Sequence, residues 1–74
     1  MALKDEGNAA LAAGRMAEAV HHYSTALSHI PDNALVLSNR ALAYIKLENY
    51  GLAMQDAIRA VEADNPMDDL EDHP

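Results

Sequence analysis

A chain of 74 residues with three Tyr, no Phe, no Trp and no Cys has room for one small module, held by packing without disulfide or thiolate–metal staples. The sparse aromatic content and the wealth of Ala and Leu suit packed helices and argue against a β-sandwich. The net charge of −7 offers no basic stripe for a phosphate backbone or an anionic membrane surface, so neither nucleic acid nor membrane is an expected partner.

That charge is unevenly placed. Residues 1–61 carry five bases against six acids, whereas residues 62–74 carry six acids and no Lys or Arg. No run of 18 apolar residues exists, and the opening Met1-Ala2-Leu3-Lys4-Asp5-Glu6 does not read as a signal peptide. A soluble, cytoplasmic protein is expected. A chain this short buries only about 60–65% of the surface its unfolded form exposes, so its stability margin is narrow.

Hydrophobic spacing predicts four helices in chain order. Leu3, Gly7, Ala10 and Leu11 form the first stripe, near residues 2–13. Met16, Ala19, Val20, Tyr23, Ala26, Leu27 and Ile30 form the second, near 17–30. Ala34, Leu37, Ala41, Tyr44 and Ile45 form the third, near 34–47, and Ala53, Ala57, Ala60 and Val61 the fourth, near 52–64. Gly14 is placed to cap the first helix in the left-handed conformation, and Asn49 with Gly51 to break the chain after the third. Pro31-Asp32-Asn33 closes the second helix and offers Asn33 as N-cap of the next. Beyond Asn65-Pro66 the repelling charges of residues 67–74 predict a tail that is disordered when alone.

A shift of 34 residues pairs Leu3 with Leu37, Ala9 with Ala43, Ala19 with Ala53 and Ala26 with Ala60. Small side chains therefore recur where antiparallel helices must approach closely. This 34-residue helix–turn–helix unit resembles the tetratricopeptide repeat. Gly7-Asn8-Ala9, Gly14, Ala19, Tyr23, Ala26 and Pro31 carry the signature in the first unit, and Ala41, Tyr44, Tyr50, Ala53 and Ala60 in the second. Leu3 and Leu37 stand where the family often has Trp, Ala10 where it has Tyr, and Pro66 one place late. The resemblance implies an all-α, right-handed α-solenoid fragment with one repeat over about 1–33 and another over about 34–66, followed by the acidic tail.

The chain also resembles the tetratricopeptide domains of co-chaperones that carry a dicarboxylate clamp. That resemblance implies peptide binding by Lys4 and Asn8, which are i, i+4 neighbours, and by Asn39 in the run Ser38-Asn39-Arg40-Ala41. Ser38 and Arg40 are possible groove residues. The implied partner is the acidic C-terminal Glu-Glu-Val-Asp peptide of a heat-shock chaperone: Lys supplies a cation, and Asn amides donate hydrogen bonds to carboxylates and backbone. In the family a third repeat adds a Lys and an Arg at its fifth and ninth positions. Here those positions fall at Asp72 and beyond Pro74, leaving half a clamp.

No catalytic constellation emerges. His21, His22 and His29 share one helix, but His22 and His29 lie two turns apart, too distant to chelate one metal in a monomer. Ser24, Ser28 and Ser38 lack an activating partner, and Glu48 and Asp56 read as surface carboxylates. Met16 and Met54 read as core, and Tyr23, Tyr44 and Tyr50 as core or groove lining. No enzyme activity, metal or cofactor is expected. The competing expectation is a truncated or engineered repeat pair that associates with itself, because Met54, Ala57, Ile58 and Val61 on the last helix have no following helix to cover them.

Overall fold

The computed structural model describes residues 2–64. They form four helices, α1 (Ala2–Ala12), α2 (Met16–His29), α3 (Ala34–Lys46) and α4 (Tyr50–Asp64), and no strand among the described residues. The acidic tail of residues 67–74, and with it the expectation of disorder, lies outside them.

The 34-residue period is written into the turns. After α1, Gly14 adopts φ +85°, Gly14 N donates to Leu11 O (3.1 Å) and Arg15 N to Ala10 O (2.9 Å). This Schellman closure satisfies carbonyls that the helix end would leave bare. After α3 the same pair of bonds recurs 34 residues on: Glu48 N donates to Ile45 O (2.9 Å) and Asn49 N to Tyr44 O (2.8 Å). The left-handed residue there is Glu48, at φ +62°. Asn49 lies in the break after α3 as expected, and the expectation for Gly51 is corrected. Asn49 O accepts from Ala53 N (3.0 Å) at the start of α4, as Arg15 O does from Ala19 N (2.9 Å) at α2, and Gly51 lies inside α4. Between the hairpins, Asn33 caps α3 as expected: its Oδ1 accepts from Val36 N at 3.1 Å.

Within the first hairpin the contact is an aromatic ring on bare backbone. Tyr23 of α2 is fully buried and lies across α1 at Gly7, where an added Cβ would stand 2.5 Å from Tyr23 Cε1. Gly7 weakens the helix by about 1 kcal/mol relative to Ala, and the close ring packing is what that cost allows. Around the ring the core gathers Ala10, Ala19, Leu27, Val36, Leu37, Ala43 and Ala60. Val36 and Leu37 of α3 are both buried, so α3 is the helix that closes the first hairpin.

The second hairpin is less well covered, and several expected core positions are exposed. Met54 (61% exposed), Val61 (63%) and Tyr50 are open to solvent, as are Ile30, Ile45 and Ala57. Met54 and Tyr50 are thus not core, whereas Met16 packs against it. Ile30 stands one residue past the end of α2. Met54 and Val61 are exposed because no described helix lies beyond α4, so its outer face meets nothing.

Gly7→Ala gains helix propensity but drives a methyl group into a ring with no free space to move into. A net destabilisation of about 1–2 kcal/mol is expected, read from urea unfolding followed by circular dichroism.

Candidate functional site

Asn8 and Asn39, 31 residues apart in sequence, meet in the folded chain. Asn39 Nδ2 on α3 donates to Asn8 Oδ1 on α1 at 3.1 Å. A second donor reaches the same oxygen: Tyr23 Oη on α2 at 2.5 Å. Asn8 is exposed and Asn39 half-buried, so the pair sits where three helices meet at the surface. Lys4 lies one helical turn before Asn8 on α1. Burial raises the Tyr23 phenol above its ordinary value of 10.0, so the hydroxyl keeps its proton.

The remaining candidates lie elsewhere. Arg40 Nε donates to Asp56 Oδ2 (2.6 Å) and Nη2 to Asp56 Oδ1 (2.8 Å), while Nη1 donates to Ser24 Oγ (3.0 Å). The guanidinium carbon is 5.6 Å from the centre of the Tyr44 ring. The hydrogen bond to Asp56 raises the arginine pKa, against the opposing effect of burial. Arg40 thus joins α2, α3 and α4, and all three of its nitrogens donate within the fold. That arrangement runs against the expected groove role for Arg40. Asp56 is only 3% exposed and is not a surface carboxylate. Ser38 is exposed and lines an open groove of about 470 Å³ between α3 and α4, with Ala34, Leu35, Ala41, Ala57, Ala60 and Val61.

That groove has a simple origin. At the 34-residue spacing Ala41 stands for Gly7 and Ala57 for Tyr23. The first hairpin fills this place with a ring and is closed by α3; the second has two methyl groups and an opening.

The same offset relates two polar contacts. Glu6 Oε1 lies 3.4 Å from His22 Nδ1 across the first hairpin, and Arg40 pairs with Asp56 across the second. Positions 6 and 40, and 22 and 56, are equivalent, and the carboxylate stands on the first helix of one hairpin and on the second helix of the other. The Tyr23 hydroxyl was legible only as a ring facing Gly7, because the hydrogen bond needs the folded crossing of α1, α2 and α3. The described residues contain no group of three or more metal-ligating side chains, and His22 faces Glu6 instead of His29.

Two antiparallel hairpins repeating turn for turn at 34 residues define a helical-repeat protein. Its relatives are of the same kind. The chain is 46% identical to Hsp70-Hsp90 organizing protein 1 of Glycine max over 54 residues, covering 73% of this chain and 9% of that protein. It is 42% identical to human serine/threonine-protein phosphatase 5 over 62 residues (84% and 12%) and 41% identical to human tetratricopeptide repeat protein 12 over 63 residues (85% and 9%). No family model and no solved structure matches significantly. The chain belongs to the tetratricopeptide-repeat proteins. It spans about a tenth of the length of the relatives it matches.

The Arg40–Asp56 pair should behave as one unit. Arg40→Met or Asp56→Ala alone leaves a poorly solvated charge and should cost about 3 kcal/mol. The double replacement should cost clearly less than the two added together, as a double-mutant cycle of denaturant melts will measure.

Proposed function

We propose that this chain is a protein-interaction module that binds acidic C-terminal peptides of the Glu-Glu-Val-Asp type, carried by heat-shock chaperones in the cytoplasm, through a partial dicarboxylate clamp of Lys4, Asn8 and Asn39. The observation that carries the reading is the Asn8–Asn39 hydrogen bond, because two amides from separate repeats converge at one exposed point. Relatives named Hsp70-Hsp90 organizing protein support the choice of partner. The serine/threonine phosphatases among the relatives are matched over only 12–13% of their length, and the reading assigns no catalysis to this chain. The repeats are taken as about 1–33 and 34–66. Ser38, on the groove between α3 and α4, is a flanking contact at most, and Arg40 contributes by holding α3 in place.

Half a clamp at a shallow site implies weak binding, in about the 10 μM to millimolar range and weakening with salt. Lys4→Ala and Asn8→Ala should each cost roughly 1–2 kcal/mol in calorimetric titration with a Glu-Glu-Val-Asp peptide. Equal affinity for the free-acid and C-terminally amidated peptides would sink the carboxylate reading.

A second reading rests on a separate observation, the bare outer face of α4. Met54, Ile58 and Val61 border a further apolar hollow beside the 470 Å³ groove. Self-association into a homodimer or larger assembly would cover both. Sedimentation at tens of micromolar (about the range in which weak dimers form) should show a species heavier than the monomer. Met54→Lys with Val61→Glu should return it to monomer mass. A wild-type chain that sediments only as monomer excludes this reading.

A further inference from the structure

An amide can face an anionic ligand in two ways. With Nδ2 outward it donates two hydrogen bonds; turned over about its last bond, it presents a carbonyl oxygen and repels a carboxylate. The two orientations are nearly equal in shape, so packing alone does not choose between them. For an exposed asparagine the choice depends on what holds the oxygen.

Here the oxygen is held twice. Asn8 Oδ1 accepts from Tyr23 Oη and from Asn39 Nδ2, so both lone pairs are engaged from the protein side. Nδ2 has no partner among the described residues and is left with both donors for a ligand. Tyr23 is the better-anchored holder. Its ring is fully buried and rests on the Gly7 backbone, the residue next to Asn8, so its hydroxyl has no freedom to follow a moving amide. Asn39 is itself half-exposed and, as a candidate clamp residue, can be drawn toward the ligand.

We propose that Tyr23 is a positioning residue for peptide recognition: through its hydroxyl it holds the side-chain amide of Asn8 at the crossing of α1, α2 and α3, and so presents it to carboxylate-bearing ligands. The inference rests on the reading of Asn8 as a peptide-binding residue. It adds that the ring which fills the first hairpin also fixes the position of the amide above it. The element that orients Asn8 belongs to α2 and touches no ligand itself.

Tyr23→Phe in the full chain is the test, since it keeps the ring on Gly7 and removes only the hydroxyl. Thermal melting by circular dichroism establishes the temperature at which both proteins are folded, and calorimetry with a Glu-Glu-Val-Asp peptide is run below it. Affinity is expected to fall by roughly 3- to 10-fold. In an Asn8→Ala background the same replacement is expected to change affinity by less than about twofold, because there is no amide left to orient. Nuclear magnetic resonance of the free protein should show the Asn8 side-chain amide ordered in the wild type and averaging between rotamers in Tyr23→Phe. A purely structural hydroxyl would lower the melting temperature and leave affinity, or its dependence on Asn8, untouched; that result overturns the proposal while the clamp stands. Should Asn8→Ala bind as well as wild type, the clamp reading fails first and the proposal goes with it.

Discussion

The absence of one methyl group organises the first half of this molecule. Gly7 lets α1 come close enough for Tyr23 to lie flat across it, and a large fully buried ring stands where most helix pairs would interdigitate aliphatic side chains. From that position the ring meets the small and aliphatic core below, and its hydroxyl emerges beside Asn8. Packing density and site geometry are thus set by the same side chain. A change that moves the ring moves the core and the surface amide together.

The second hairpin solves the same problem by different means. Ala41 and Ala57 leave a groove open between α3 and α4, and directional bonds add to the packing of the buried alanines there. Arg40 gives two bonds to Asp56 and one to Ser24, tying the two hairpins across α2, α3 and α4. Arg59 adds a bond from α4 back to Pro31 O in the turn between hairpins (3.1 Å). A charge network of this sort fixes geometry more than it adds stability. It leaves the alanine-lined groove between α3 and α4 open.

Helix number and order were legible because punctuation and periodicity agreed at Gly14, Asn33 and the four stripes. The break after α3 was legible at Asn49, but its left-handed position was not, because Glu48 is a poor residue for positive φ. The repeat itself held the answer, since Glu48 is the 34-residue equivalent of Gly14. Exposure at Met54 and Val61 was legible as the uncovered outer face of the last helix, whereas exposure at Tyr50 was not: periodicity marks an apolar face but does not say whether anything covers it. At the candidate site, Asn8 and Asn39 could be named from resemblance. Their meeting, and the role of Tyr23, required the crossing of three helices.

The exchanged positions of the two carboxylates, Glu6 and Asp56, have a consequence for folding fidelity. Tandem repeats of similar sequence risk exchanging partners, because each first helix can dock on the second helix of either hairpin. In such a shuffled chain α1 against α4 would set Glu6 beside Asp56, two carboxylates with no cation between them, and α3 against α2 would set Arg40 beside His22. The correct assembly places Glu6 by His22 and Arg40 by Asp56. Carrying the carboxylate on the first helix of one hairpin and on the second helix of the other therefore works as a sorting code: the wrong pairing sets two carboxylates together and leaves Arg40 without one.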